Sequence, residues 1–114
     1  MAFAVNAKKL KRADLVSVDG RVDSNTAPQF EAAIQKIIDD GRNHIVVDLS
    51  SVEYMSSAAF RVLISALKQV KKGARRGDVR LAGVSQKLMD TFKLGGFDDL
   101  FKFYGTPEEA VGSF

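Results

Sequence analysis

The sequence predicts a single α/β domain over residues 1–114, built on a mixed, mostly parallel β-sheet of about five strands with helices packed on it. Three observations carry this expectation. Short apolar runs, such as Ile45, Val46 and Val47, alternate with longer segments whose apolar residues recur at i, i+3, i+4 and i+7. The resulting order is ββαβαβαβα; strands joined through helices run parallel with right-handed crossovers, and an opening hairpin adds an antiparallel edge. A chain of 114 residues can bury one core and is too short for two.

The first strand is expected at residues 2–7 (AFAVNA), the second at 14–19 (DLVSVD), where Leu15 or Val16 alternates with Val18. The basic KKLKR segment between them reads as a hairpin connection, and Gly20 as the break that ends the second strand. A helix follows near Thr26, where Thr26 and Gln29 have capping-box spacing, although Pro28 disfavours helical geometry at Ala27 and shifts the expected start by up to a residue. Phe30, Ala33, Ile34, Ile37 and Ile38 form its buried stripe, and Gly41 stops it.

Residues 44–48 are the central strand: short, β-branched and apolar, as a buried parallel strand should be. Ser50, Ser51 and Glu53 read as a polar connector leading to Tyr54 and Met55. The next helix opens on Ser56, Ser57, Ala58 and Ala59 and buries Phe60, Leu63, Ile64, Leu67 and Val70. Residues 73–77 form a basic turn, and residues 79–82 the next strand. Ser85 caps a helix whose Val84 staples against Met89 and whose Leu88, Phe92 and Leu94 pack inward, before Gly95 and Gly96 end it. Residues 100–104 form the last strand. Thr106, Pro107 and Glu109 then start a short helix with a capping threonine, proline at the first position and glutamate at the third.

Composition narrows the chemistry. No cysteine occurs, which removes disulfides, thiolate metal sites and cysteine nucleophiles. The one histidine, His44, at the mouth of the central strand, cannot anchor an ordinary zinc site alone. No G-x-S-x-G elbow, phosphate-binding loop or dinucleotide turn is found. The carboxylate pairs Asp39–Asp40, Asp98–Asp99 and Glu108–Glu109 fall at element ends and are expected to face water. The expectation is a protein that is not an enzyme and carries no cofactor or metal. No apolar run approaches the roughly 20 residues a membrane span needs. The start, MAFAVNAKKLKR, has its apolar residues before its basic ones, the reverse of a signal peptide, so a cytoplasmic location is the default. The net charge of +3 collects in two clusters, Lys8, Lys9, Lys11 and Arg12 and then Lys71, Lys72, Arg75 and Arg76. They fit a solvated surface, an acidic protein partner or weak nucleic-acid contact.

The serines at residues 56 and 57 sit where a helix exposes unpaired N–H groups and the positive end of its dipole. Either can serve as a plain N-cap; either would also place a phosphate favourably.

Three segments carry a resemblance: GRVDSNTAPQFEAAI, IVVDLSSVEYMSSAAFRVLISALKQVKKG and VRLAGVSQKLMDTFKLGGFDDLFKFYGTPEEA. From about Asp14 to Ala110 the chain resembles the STAS domain, the family of bacterial anti-sigma factor antagonists, shared with the cytoplasmic tails of sulphate transporters. In that family a D-S-S-G loop follows an aromatic–Met pair, and its first serine is phosphorylated by an anti-sigma factor that is a serine kinase. The resemblance puts Tyr54–Met55 on the pair, Ser57 on the phosphoacceptor with Ser56 as the alternative, and Ala58 and Ala59 on the second serine and the glycine. Asp23 and Thr26 match an acidic residue near the acceptor and the threonine of the following helix start. The chain departs from the pattern at Ser56, which replaces the aspartate, and at Ala59, which replaces the glycine.

The resemblance thus implies an anti-sigma factor antagonist that works by partner switching in transcription regulation. Asp23, Thr26, Ser56, Ser57, Ala58, Ala59 and Phe60 would meet the kinase, and a phosphatase would reset the serine; nucleic-acid binding and membrane insertion are not expected. Two other readings stay open: an unphosphorylated interaction or scaffold domain, in a signalling assembly or beside a transporter, and a nucleotide or nucleic-acid binder using Lys71, Lys72, Arg75 and Arg76.

Overall fold

Two hydrophobic clusters lie on opposite faces of one five-stranded sheet. A computed structural model describes residues 3–72 and 75–114. The strands are β1 (Ala4–Lys9), β2 (Asp14–Val22), β3 (His44–Met55), β4 (Asp78–Ala82) and β5 (Lys102–Tyr104). The helices are α1 (Ala27–Asp39), α2 (Ser57–Lys71), α3 (Gln86–Leu94) and α4 (Pro107–Gly112). They follow one another in the expected order. The sheet runs β1-β2-β3-β4-β5, with β1 antiparallel to β2 and every other pair parallel.

Because each parallel strand is added on the same side of the last, right-handed crossovers put α1, α2 and α3 on one face. There Val16, Val18, Val22, Ile45, Val47 and Leu81 meet Phe30, Ile34, Leu63 and Phe92. On the other face α4 brings Ala110 against Ala13, Val46 and Ala82. Val46 thus points away from Ile45 and Val47, yet all three are fully buried. A strand covered on both sides is apolar at every position, and the run at residues 45–47 reads that way.

β3 is longer than its sequence suggests. Residues 49–55, expected mostly as a connector, continue the strand by pairing with β2: Asp19 with Ser51, Gly20 with Val52, Arg21 with Tyr54 and Val22 with Met55. Register shifts lie between Ser17 and Asp19 and between Gly20 and Arg21. They space the buried residues Leu49, Val52 and Met55 three apart, so the two-residue alternation that marks a strand is lost. Gly20 therefore does not end β2; at φ +102° it accommodates the irregularity, and the strand continues to Val22.

Other expectations shift for local reasons. β1 includes Lys8 and Lys9, and the hairpin closes at residues 10–13, with the Leu10 N–H donating to the Ala13 carbonyl at 3.0 Å. Ala2 of the first expected strand and Gly73 and Ala74 of the basic turn lie outside the described residues. Leu94 is 91% exposed instead of buried. It stands two residues beyond Phe92, about 200° around the helix, so the two cannot share a face. β5 begins at Lys102, because residues 98–100 form a turn. Gly41 ends α1 as expected: at φ +84° it donates to the Ile38 carbonyl (2.9 Å) while Arg42 donates to that of Ile37 (3.2 Å).

Candidate functional site

The C-terminal ends of β2 and β3 lie side by side, and the chain leaves each of them into the start of a helix. From β2 comes the loop holding Asp23 and Thr26; from β3 come Ser56 and Ser57. Open parallel sheets place their working groups at this end of the strands.

Thr26 stands at the N-cap position of α1, but its side chain does not cap that helix, and the expected Thr26–Gln29 capping box does not form. Its hydroxyl is already engaged, donating to the Arg21 carbonyl (2.8 Å) and accepting from the Asp23 N–H (3.0 Å). The Asp23 carboxylate organises the turn instead, through Oδ1 accepting from the N–H groups of Asn25 (2.9 Å) and Thr26 (3.1 Å). Those two backbone donors, Asn25 first, hold the Asp23 carboxyl below its ordinary range. Asp23 and Thr26 therefore lock one another.

Ser56 closes the sheet and opens α2. Its N–H donates to the Val22 carbonyl at 2.8 Å, and its own carbonyl accepts from Ala59 (3.0 Å) and Phe60 (3.2 Å). The Ser56 hydroxyl oxygen is buried and has no hydrogen-bond partner, so no side chain caps α2. Ser57, the first residue of the helix, is exposed. The fold separates the two serines: one oxygen is sealed in, the other faces solvent at the positive end of a 15-residue helix.

Ala58 is half-buried, whereas Ala59 and Phe60 turn inward at 0% and 5% exposure. The Ala59 methyl, present where the family pattern has a glycine, fills core space and adds nothing to the exposed side of the turn. Phe60 stacks on Phe97 (centroids 5.5 Å apart) and meets Phe92 edge-on (4.8 Å). Ala59 offers the turn no outward surface, and Phe60 shows only its edge, in the wall of the groove beside Ser57.

A groove of about 460 Å³ runs past Ser56 and Ser57 between α2 and the end of α3. Tyr54, 40% exposed and covered by the Arg21 guanidinium at 4.4 Å, borders it with Leu94 and Phe97. Arg61, exposed one helical turn beyond Ser57, lines this groove and also a second, of about 360 Å³, on the α1 side. Neither Arg61 nor Leu94 stands out as a site residue in the sequence. For Arg61 the signal was present, since four residues separate side chains that neighbour one another on a helix.

His44 lies at the other end of the sheet, its ring stacked on Phe114 at 4.6 Å and its Nδ1 3.3 Å from the Arg12 carbonyl. Among the described residues no group of three or more His, Asp or Glu side chains is arranged to hold a metal ion, and no helix is long and apolar enough to cross a membrane.

The model of the STAS domain family matches residues 4–110 of the chain. The anti-sigma-F factor antagonist RsfB of Mycobacterium tuberculosis is 27% identical over 97 residues, which cover 85% of this chain and 77% of that protein. The crystal structure of an anti-sigma factor antagonist from Mycobacterium paratuberculosis matches with a TM-score of 0.85 at 27% identity, covering 98% of this chain and 93% of that one. The Bacillus cell fate determinant SpoIIAA in its phosphorylated form matches with a TM-score of 0.76 over 96% of this chain and 98% of that one. At 20% identity, that last likeness shows the fold alone.

Proposed function

The chain belongs to the STAS domain family, and from that premise we propose that it is an anti-sigma factor antagonist: a cytoplasmic binding module, not an enzyme, that docks on an anti-sigma factor serine kinase and is switched by phosphorylation of Ser57. The observation that carries the reading is the exposure of Ser57 at the first position of α2, beside a Ser56 oxygen sealed from solvent. The names of the relatives support the antagonist role.

In the unmodified protein, the turn at residues 56–58 and the groove bordered by Tyr54 and Leu94 receive the kinase, which then releases its sigma factor. A phosphate on Ser57 adds about −1.5 to −2 charges and three acceptor oxygens. Within the antagonist the α2 dipole stabilises that charge by about 0.3–1 kcal/mol. In a dry interface without a basic receiver its desolvation costs several times as much, so the complex dissociates. The switch requires no refolding. A phosphatase resets it.

The test is incubation with the cognate kinase and ATP, followed by site mapping and titration of kinase binding. Label is expected on Ser57, none on a Ser57→Ala variant, and binding by the phosphorylated form at least about tenfold weaker, equivalent to about 1.4 kcal/mol. No label, together with equal affinities for wild type, Ser57→Ala and Ser57→Asp, would replace the switch with a constitutive interaction domain.

A further inference from the structure

The face of α2 that turns away from the sheet carries charge of one sign. The helix, SAAFRVLISALKQVK, contains no carboxylate over its 15 residues. Ser57, Arg61, Ser65, Lys68 and the capping Lys72 are all exposed and stand three or four apart, so they line up as one stripe that starts at Ser57. Lys71 stands beside the stripe with its ammonium 3.8 Å from Asp78. Among the described residues, Arg61, Lys68 and Lys72 make no ion pair.

A helix face that only meets water ordinarily mixes signs, because opposite charges four residues apart stabilise it and like charges at that spacing, such as Lys68 and Lys72, destabilise it. The α2 dipole favours cations at the carbonyl end, which accounts for Lys68 and Lys72. It does not account for Arg61 in the second turn, nor for the lack of any acid in the first. The neighbouring helix supplies no counter-charge. Glu31 of α1 lines a groove with Arg61 but makes no ion pair with it, and Asp39 accepts from Gln35 at 2.9 Å. The amides of Gln35 and Gln69 donate to one another, each at 3.0 Å, and fix α2 against α1. The result is a preset row of unpaired cations.

A groove of about 450 Å³ runs along this row, with half-buried Ile64 in its wall. Apolar contact ringed by charge suits a protein partner. No aromatic side chain stands in the groove to stack a nucleic-acid base. We propose that the anti-sigma factor kinase meets this face with a complementary row of carboxylates, so that the interface runs from Ser57 down α2 to Lys72, about 22 Å. The proposal rests on the antagonist reading and adds the chemistry of the partner. A phosphate on Ser57 then stands at the head of the row, where it faces the partner's carboxylates, and like-charge repulsion joins desolvation in driving the two apart.

The experiment measures association and dissociation of the cognate kinase from about 50 to about 300 mM salt. Wild type should lose at least about tenfold in affinity across that range, mostly in association rate. At the lower salt a Lys68→Glu/Lys72→Glu variant should bind at least about tenfold more weakly, and Lys68→Gln/Lys72→Gln about threefold more weakly. The glutamine pair removes charge without reversing it, and so keeps the test valid where reversal disturbs the helix. The difference in affinity between unphosphorylated and Ser57-phosphorylated protein should narrow as salt rises, which desolvation alone would not produce. A kinase that binds wild type with a flat salt response, or binds both variants as it binds wild type, overturns the proposal and leaves the antagonist reading standing. No binding of the kinase by wild type overturns both. Duplex DNA or phosphatidylglycerol vesicles binding wild type at least about tenfold tighter than the kinase, and losing that affinity in the variants, would overturn it too and identify a nucleic-acid or membrane face instead.

Discussion

The Ser56 N–H donates to the Val22 carbonyl at 2.8 Å, tying the end of β2 to the start of α2. The bond uses Ser56's backbone and leaves its hydroxyl oxygen buried without a partner. A buried unpaired hydroxyl is destabilising, so Ser56→Ala should leave stability unchanged or raise it by up to about 1 kcal/mol. Urea denaturation measures this; a loss greater than about 1 kcal/mol would mean that the hydroxyl has a partner in solution.

Asp23 makes stability depend on acid. Its carboxyl is held below the ordinary 3.8 by the N–H groups of Asn25 and Thr26. A carboxyl with a lowered folded-state pKa stabilises fully above its unfolded-state pKa and loses that contribution as pH falls through the lowered value. Asp23→Ala should therefore lower the melting temperature most near pH 7, with the gap to wild type narrowing below about pH 4. A gap constant from pH 7 down to about pH 2.5 contradicts the assignment.

Arg42 and Asp14 form a pair with unequal exposure: the Asp14 side chain is 5% exposed, that of Arg42 32%. Arg42→Ala would leave the carboxylate inside without its cation, at an expected cost of about 2–4 kcal/mol, the lower end reflecting solvent at the arginine. Replacing both, as Asp14→Leu/Arg42→Met, should recover at least half of that loss. If the double variant is as unstable as Arg42→Ala, the loss comes from packing and not from the stranded charge.

Leu94 tests the extent of the docking face. It is 91% exposed and borders the groove that holds Ser57. Leu94→Asp should weaken kinase binding by at least about tenfold, as removal of an apolar anchor does, and leave the melting temperature within about 2 °C. Unchanged binding would confine the interface to α2 and the preceding turn.

Much of this was legible because it was decided within a turn or two of chain. Gly41 ends α1, Ser85 caps α3 by accepting from the Leu88 N–H at 3.2 Å, and Thr106 caps α4 by accepting from the Glu109 N–H at the same distance. Such bonds span three to five residues, and apolar stripes repeat at the helical period, so each can be read locally. Thr26 does not cap α1 because its oxygen accepts from the Asp23 N–H on the loop side, one of two local patterns that compete for the same hydroxyl. The second half of β3 was hidden because irregular pairing with β2 erased its alternation.

From the sequence alone came the order of elements, the helix ends and the presence of two serines where a strand meets a helix. Only the tertiary structure decided which serine faces water, since that depends on how α2 and β3 pack around the end of β2. It also decided that Lys9, Lys11 and Arg12 share one cleft with the remote Arg75 and Arg76: parallel strands begin at the same end of the sheet, so the turns that precede them converge there however far apart they lie in the chain.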